Sequence, residues 1–504
     1  MSNTIKHLSI ELPTEHNVTQ IPKQRSKWLS IIYNFSSETT AHGLPRIVHS
    51  ENRFNRLYWS IATLACAALM IYFIIRAILE YFTYPTQIDI SIESEWPQHF
   101  PAFSFCNVGG FRLDAFAVPF ANYTNSHNLT NTNDSSTVYL EQIPYLISFM
   151  RDLFSQNLTL EPFAFPLSAT LVSCSYNSHQ CTTADFVPFI HTTYGYCYTF
   201  NGKLKNESEG SVRDGTEYNG LGILNLGLYV HSNQYIPYMT DSVGIVAVIH
   251  DNTQVPLMDT AGYNLNPGQK HKLSYRKKNY DFLPAPYTLC ESKTAPWMQT
   301  MFESYEKFDY KYSKPLCIKL DAQIFTYEKC GCVNPYYWDI RSVLSPKTNT
   351  VISAPLCNVT NNCYTEAASA YINSTKSINK NDEASCLQEC EMNDFIIKKS
   401  SLATPTLWQL NDIKSFVENS SIPQPSDWST SWPDYILQNY LAVSVVRETD
   451  VVEKNIQSAS LSIGDVISNI GGQTGLWIGI SILSVMELFE MIYRLLRLIK
   501  RRNK

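Results

Sequence analysis

One stretch near the C-terminus places small and polar residues inside an apolar segment. Gly471, Gly475 and Gly479 repeat every four residues and share one face of a helix. Small residues at this spacing let helices approach closely in lipid. Polar side chains follow in the same segment, and a spanning helix with a small-residue face and polar side chains is suited to pack on copies of itself around a wet space. The stretch therefore predicts a pore, and a dimerising anchor helix is the alternative.

Carboxylates continue the pattern toward the end of this segment. Glu487 and Glu490 lie about one turn apart. An unpaired carboxylate facing lipid costs on the order of 2–3 kcal/mol, so a wet lumen is the better environment for these side chains. For Glu490 the alternative is an ion pair with Arg494, one turn further along.

Two apolar segments must position these residues. The first runs from Leu57 to about Leu79, and the second contains the glycine stripe. Each is long enough to cross about 30 Å of hydrocarbon. Basic residues precede the first segment and follow the second, which predicts that both termini are cytosolic. The predicted organisation is a cytosolic N-terminus at 1–56, a first transmembrane helix at 57–80, an extracellular domain at 81–464, a second transmembrane helix and pore at 465–493, and a cytosolic C-terminus at 494–504.

The cysteines indicate the compartment of the long middle region. The chain has 13 cysteines; Cys66 lies in the first apolar segment, and all the others lie between Cys106 and Cys390. An even set confined to one region predicts disulfides in an oxidising space. Zinc is the alternative for Cys330-Gly331-Cys332, but the usual second cysteine pair and neighbouring histidines are missing. We therefore expect no metal.

Eight glycosylation sequons lie between the two apolar segments. They are headed by Asn122, Asn128, Asn133, Asn157, Asn206, Asn358, Asn373 and Asn419. The net charge of −6 gives no basic surface for nucleic acid. Nucleophile–base spacings and phosphate-binding loops are absent from the sequence, so we expect neither an enzyme nor a cofactor. Residues 270–278 form a basic stretch that we interpret as a solvated strand.

Several motifs together resemble the degenerin/epithelial sodium channel family, which includes acid-sensing and peptide-gated channels. In chain order they are His42-Gly43, Phe100-Pro101-Ala102 with Cys106-Asn107, the Gly-Tyr-Cys-Tyr-Thr-Phe-Asn run at 195–201, Cys330-Gly331-Cys332, and Gly479-Ile480-Ser481. Each motif alone is weak, but their order between two apolar segments is specific.

The resemblance implies an α+β membrane protein whose two transmembrane helices flank a disulfide-rich, β-based extracellular domain. That domain would comprise palm, β-ball, finger, thumb and knuckle. The assembly would be a trimer of this chain or of related subunits in the plasma membrane, in contact with lipid. It would pass Na⁺ and be blocked by amiloride.

The resemblance also assigns roles to residues. Gly479, Ile480 and Ser481 would form the selectivity filter, and His42 and Gly43 a gating motif beneath the pore. The residues expected to line the pore are Asp465, Asn469, Gly472, Gly475, Leu476, Leu483, Glu487 and Glu490. For Asp465 a helix-entry cap is the alternative.

Six disulfides are implied by the same resemblance. The implied pairs are Cys106–Cys197, Cys174–Cys181, Cys290–Cys390, Cys317–Cys386, Cys330–Cys363 and Cys332–Cys357. The family often has one further pair, and here Asp321 and Ala384 occupy both of its positions. Another departure is Asn469, where the family usually has aspartate, so an acidic ring at the outer mouth is missing.

The stimulus is less well indicated. Residues 84–87 contain no histidine, Asn233-Gln234 replaces an acidic pair of the acid-sensing branch, and Tyr287 replaces its tryptophan. These departures argue against proton gating, and residues 121–160 lack the arginine cluster of protease-activated channels. We therefore expect a ligand, with a short FMRFamide-like neuropeptide as the leading hypothesis. Acid, bile-acid-type and mechanical gating are alternatives, as is a non-conducting cell-surface receptor.

A cluster near the start of the extracellular domain is the predicted peptide site. Its members are Phe111, Asp114, Phe116, Phe120, Tyr123 and Glu161, whose aromatic and acidic side chains suit a cationic peptide. The alternative is that the aromatic residues are core.

Overall fold

A computed structural model describes residues 27–205, 212–291, 307–344, 350–378 and 386–502. The chain divides into two compact units, Met1–Pro85 with Ala459–Lys504, and Thr86–Ser458. We call the first the membrane unit and the second the ectodomain.

The membrane unit is helical. Its described helices are α1 Lys27–Glu38, α2 Leu44–Val48, α3 Arg53–Tyr81, α12 Ile463–Ile478 and α13 Ile482–Arg502. Helix α3 is long and apolar enough to cross a membrane by itself, whereas α12 and α13 meet this criterion only as a pair bent by 77°. The second predicted span is therefore two helices with a break, not one continuous helix. Phe73 of α3 stacks on Trp477 of α12 at a ring-centroid distance of 6.0 Å.

The ectodomain is built on an eight-stranded sheet. Its strands are β1 Thr86–Ser94, β3 Leu171–Tyr176, β4 His179–Gln180, β7 Ile223–Tyr229, β10 Gln269–Asp281, β15 Glu391–Ala403, β16 Tyr440–Arg447 and β17 Val451–Ala459. The order is β1-β17-β10-β16-β7-β3-β4, and β15 pairs with β10 in addition. Strand β10 runs antiparallel to β15 and parallel to β16.

Alternation along these strands separates a buried face from an outer face. Leu273 and Tyr275 of β10, Leu226 of β7, and Val443 and Val445 of β16 are buried in one apolar core. Their neighbours in sequence therefore point to the opposite side of the sheet. The sequence predicts strands near 88–92, 220–230, 244–250 and 441–446 from their strand-like residues, and all four strands are present.

A five-stranded sheet supplies the other side of this core. Its strands are β2 Ala102–Asn107, β5 Phe186–His191, β6 Gly195–Phe200, β8 Ile245–His250 and β9 Tyr263–Leu265, in the order β5-β6-β2-β8-β9. Strand β2 is buried along its whole length because it is the central strand. The paired positions Cys106 and Cys197 face each other across β2 and β6.

Helices and short strands cover the sheets. The helices are α4 Leu113–Ser126, α5 Leu146–Ser155, α6 Leu167–Thr170, α7 Met258–Ala261, α8 Lys314–Cys330, α9 Cys363–Ile378, α10 Leu410–Glu418 and α11 Trp428–Asn439. The short strands are β11 Cys290–Glu291, β12 Ser342–Leu344, β13 Val351–Ser353 and β14 Gln388–Glu389. The sequence also predicts helices at 138–155, 297–308 and 364–373. The first begins with a 3-10 turn at Ile143–Tyr145 and continues as α5, and α9 covers the third. A helix expected at 297–308 falls almost entirely outside the described residues.

Six disulfides brace the described ectodomain. They join the pairs implied by the resemblance, from Cys106–Cys197 to Cys332–Cys357. Cys66 of α3 is a free thiol. The described residues contain no group of three or more potential metal ligands.

Candidate pore and gating segment

Helix α12 ends at Gly479 because the backbone there turns into the left-handed region. Gly479 has φ 69°, which glycine adopts without strain. Its N–H donates to the carbonyl of Gly475 at 3.1 Å, and the N–H of Ile480 donates to the carbonyl of Thr474 at 3.2 Å. The bond from Gly479 to Gly475 is that of an αL motif, which caps a carbonyl at the end of a helix. The residues predicted as the filter therefore form the break between α12 and α13.

The His42-Gly43 motif contacts this break directly. The N–H of His42 donates to the carbonyl of Ile478 at 2.7 Å. A Cβ on Gly479 would lie 2.7 Å from Cδ2 of His42, so the imidazole occupies the space that glycine leaves. Gly43, with φ 96°, is equally constrained, because a Cβ there would lie 2.4 Å from Oγ1 of Thr63 on α3. The sequence did not indicate that the two motifs touch.

Hydroxyl groups beside His42 join the N-terminal segment to α13. Thr39 Oγ1 and the N–H of Thr40 donate to Oε2 of Glu487 at 2.9 and 3.1 Å. Oγ1 of Thr40 lies 2.6 Å from Oγ of Ser484, which also accepts from the N–H of Ser481 at 3.1 Å. Ser484 is buried, and sequence reasoning missed it because a serine in an apolar helix gives no sign of its partners.

The predicted pore-lining residues share helix faces. Asp465, Asn469, Gly472 and Leu476 recur at helical spacing on α12 and are exposed, as are Leu483 and Glu490 of α13. Gly475 is also exposed, whereas Glu487 is half-buried against the N-terminal segment. A residue that lines a lumen and a residue that contacts another subunit would both be exposed in a single chain.

Two alternatives from the sequence are present in the geometry. Asp465 accepts from the N–H and the hydroxyl of Ser462 at 2.8 and 2.7 Å, and Ser462 caps α12 in return. Glu490 pairs with Arg494 at 2.5 Å on the exposed surface. Both carboxylates therefore have local structural partners in the single chain.

The predicted peptide site needs a correction. Phe111, Phe116 and Phe120 are at most 4% exposed, and they pack with Phe149 and Phe163 in an apolar cluster. Their side chains are core and leave no surface for a ligand. The sequence could not separate a binding cluster from a core cluster, because both are aromatic residues at helical spacing.

The remaining members of that site each have different surroundings. Asp114 pairs with Arg112 at 2.5 Å, and Tyr123 is half-buried against Phe149. Glu161 is exposed at the start of a 3-10 turn.

The two amides that replace an acidic pair hold backbone groups. The side-chain nitrogens of Asn233 and Gln234 donate to the carbonyl of Pro423 at 3.1 and 3.2 Å. Oε1 of Gln234 accepts from the N–H of Asp114 at 3.1 Å. A carboxylate could not make the bond to Pro423 unless it were protonated.

Two buried histidines of the ectodomain, His231 and His250, stay neutral through mild acid. Burial lowers the pKa of His231 and of His250 to about 4. Nδ1 of His250 donates to the carbonyl of Asp251 at 2.9 Å, and Nε2 accepts from Ser104 at 2.8 Å. Burial also lowers the pKa of His191, although Asp259 and Asp339 oppose this effect.

The sequon asparagines that the structure describes are all on the surface. Asn122, Asn128, Asn133, Asn157, Asn358, Asn373 and Asn419 are exposed. Asn206 lies outside the described residues.

The fold and the site define a membrane protein with a disulfide-braced ectodomain and a second apolar segment that breaks at Gly-Ile-Ser. The chain belongs to the family described as amiloride-sensitive sodium channel, whose family model matches residues 35–491. It is therefore a sodium channel of a plasma-membrane family with multimeric members, and not an enzyme.

Relatives of this chain are spread over several branches of the family. Acid-sensing ion channel 4-B of Danio rerio is 24% identical over 94% of this chain and 77% of the relative. Acid-sensing ion channel 1 of Gallus gallus is 25% identical over 92% and 84%. Epithelial sodium channel subunit alpha of Cavia porcellus is 25% identical over 96% and 78%. A solved proton-activated chloride channel aligns with a TM-score of only 0.30, at 8% identity over 88% of this chain and 100% of that one.

Proposed function

We propose that this chain forms a trimeric, amiloride-sensitive, sodium-selective channel that an extracellular ligand opens, with a short FMRFamide-like neuropeptide as the ligand class. The break at Gly479 carries the proposal for the pore. It places the irregular backbone of Gly479 and the Ser481 hydroxyl at one level of a spanning segment, where three copies would form a ring of oxygens.

The proposed names for the parts of the ectodomain follow from membership of the amiloride-sensitive sodium channel family. The eight-stranded sheet is the palm, the five-stranded sheet the β-ball, and α4 with α5 the finger. Helices α8 and α9 form the thumb, and α10 and α11 the knuckle. Residues 1–56 and 494–504 are cytosolic, and sugars occupy surface sequons of the ectodomain.

The gating segment is the proposed link between the cytosolic side and the filter. His42 packs against Gly479, and Thr39 and Thr40 hold Glu487. A shift of this short segment would change both the width at Gly479 and the position of the Glu487 carboxylate. The Glu487 and Glu490 rings would concentrate cations below the filter.

Ligand gating is favoured over proton gating by two observations in the ectodomain. Asn233 and Gln234 bind a backbone carbonyl where the acid-sensing branch has carboxylates, and His231 and His250 do not titrate between pH 5 and 7. With the three phenylalanines assigned to the core, the peptide-contacting residues are not specified beyond Asp114, Tyr123 and Glu161. Gating by acid, by bile acids or by force remains the alternative within the family.

Oocyte expression tests both parts of the proposal. Amidated peptides and pH steps are applied to oocytes with surface-labelled channel. A peptide-evoked current that amiloride blocks is expected, whereas a current opened by acid alone would refute ligand gating. No current under any stimulus, despite surface delivery, would favour the non-conducting receptor.

The filter assignment has its own test. Ser481→Ala is expected to lower the Na⁺/K⁺ permeability ratio at least twofold, because a ring of hydroxyls is lost. Ser468→Ala, also an exposed serine on the second span, is the matched control and should leave the ratio unchanged. An unchanged ratio in Ser481→Ala would show that the filter lies elsewhere.

A further inference from the structure

The outer face of the eight-stranded sheet carries a groove of about 290 Å³. Its lining includes Ile223 of β7, Val446 of β16, Leu402 of β15, and Lys270 and Lys272 of β10. Ile223 and Val446 are half-buried and Leu402 is 76% exposed, so the groove presents apolar surface to its contents.

The strand pattern explains why both lysines are at this groove. In β10, His271 and Leu273 point into the core, so Lys270 and Lys272 point outward. Lys270 pairs with Leu402 across β15, and Lys272 pairs with Ser444 across β16. The two ammonium groups therefore project from the same side of the sheet, next to the apolar lining.

These lysines differ from the other cations of the same sheet face. Arg276 and Lys398 both contact Glu448, at 2.9 and 2.6 Å, and Lys278 contacts Glu453 at 2.8 Å. Across the described ranges, neither Lys270 nor Lys272 lies within 4 Å of a carboxylate oxygen. Lys270 and Lys272 are therefore two neighbouring positive charges without a carboxylate partner in the described residues.

One polar pair in the groove lining is already hydrogen-bonded. The hydroxyl of Ser444, which is buried, donates to Oδ1 of Asn225 at 2.6 Å. A ligand therefore meets apolar side chains, this satisfied pair, two serines of β15 (Ser400 and Ser401) and the two lysines. Pockets that bind small molecules combine apolar walls with a few polar groups in this way.

We propose that this groove binds a small amphipathic monoanion, with its apolar body on Ile223, Val446 and Leu402 and its carboxylate or sulfonate on Lys270 and Lys272. This inference does not depend on which stimulus opens the channel. An acidic segment of a second copy is the rival occupant. It suits the groove less well, because the concave surface is apolar and only two cations are available at its rim.

The test uses the full chain in neutral phosphatidylcholine nanodiscs. The probe is 8-anilinonaphthalene-1-sulfonate, titrated by calorimetry with subtraction of empty nanodiscs. Saturable binding at one site per chain is expected. The uncharged analogue N-phenyl-1-naphthylamine should bind at least tenfold more weakly, because it lacks the sulfonate.

Matched variants assign the site. The double variant Lys270→Gln, Lys272→Gln should weaken probe binding at least tenfold. The control double variant Lys278→Gln, Lys398→Gln removes the same charge from lysines that are in ion pairs, and it should change probe binding less than twofold. Leu402→Asp, at an exposed position, should also abolish binding without unfolding the sheet.

Three results would overturn the proposal. The first is no saturable binding of the probe, and the second is an equal loss of probe binding in both double variants. The third is a carbodiimide cross-link from Lys270 or Lys272 to a carboxylate of another chain in the assembly without probe. The last result would show that a second copy occupies the groove. None of these outcomes depends on ion conduction, so failure here is distinguishable from failure of the proposed channel function.

Discussion

Replacement of Gly479 by alanine tests the contact between the helix break and the His42 motif. At φ 69° an alanine is strained by about 1–2 kcal/mol, because the left-handed region crowds its Cβ. The same Cβ would lie 2.7 Å from the His42 ring, which must then shift. Overpacking of this kind typically costs about 1–3 kcal/mol. We therefore expect a total loss of about 2–5 kcal/mol in the membrane unit.

The two contributions can be separated by a double-mutant cycle. His42→Ala removes the ring, so adding it to Gly479→Ala should recover the steric part and leave the backbone strain of about 1–2 kcal/mol. Thermal unfolding of detergent-solubilised protein, followed by size-exclusion chromatography, measures each variant. Gly464→Ala is the control, because its Cβ would only touch Ser462 Oγ at 3.4 Å. If Gly479→Ala were as stable as the wild type, or if His42→Ala gave no recovery, the described contact would be wrong.

Three further predictions concern the ectodomain. Replacing both cysteines of Cys106–Cys197, which are 91 residues apart, by alanine should lower the free energy of unfolding by about 4.6 kcal/mol. The same change at Cys174–Cys181, 7 residues apart, should lower it by about 2.4 kcal/mol. Thermal unfolding measures both, and equal losses would contradict the loop-entropy account. Burial lowers the pKa of His250 to about 4 in the folded protein, whereas in the unfolded chain this histidine takes up a proton already near pH 6.5. The free energy of unfolding is therefore highest above pH 6.5 and decreases as the pH falls toward 4. His250→Gln should therefore shrink the stability loss between pH 7 and pH 5 by about 2 kcal/mol, and an unchanged loss would exclude this histidine as the cause. In Gln234→Glu the new carboxyl can donate to the carbonyl of Pro423 only when it is protonated, and burial should raise the pKa of this carboxyl. The unfolding temperature of the variant, relative to the wild type, should therefore be higher at pH 5 than at pH 8. Unfolding temperatures of variant and wild type that change in parallel with pH would refute this.

The fold was largely predictable because the signals were periodic or discrete. Alternation of apolar and polar residues indicated β1, strand-like apolar runs indicated β7, β8 and β16, and the family motifs implied all six disulfide pairs. Long-range pairing in the sheets was not predictable from pattern alone, since β10 meets β15 and β16 far along the chain.

The site was only partly predictable. Glycine at 479 indicated irregular backbone, but the 77° bend and the contact with His42 depend on a segment more than 400 positions away in sequence. Phe116 was predicted as part of a ligand surface because of its aromatic neighbours, but in the structure it is buried in a hydrophobic core. Sequence spacing reports which residues share a face, and it does not report what covers that face.

The glycines at 471, 472 and 475 have one more consequence. A Cβ added at any of them would meet no other atom within 4 Å in the described chain. Alanine favours a helix over glycine by about 1 kcal/mol, so each substitution should improve the isolated helix. In a deep mutational scan, any harm from alanine at these positions would therefore arise outside the single chain. Those of the three glycines at which alanine is harmful would then identify the places where neighbouring subunits come closest, even without a structure of the assembly.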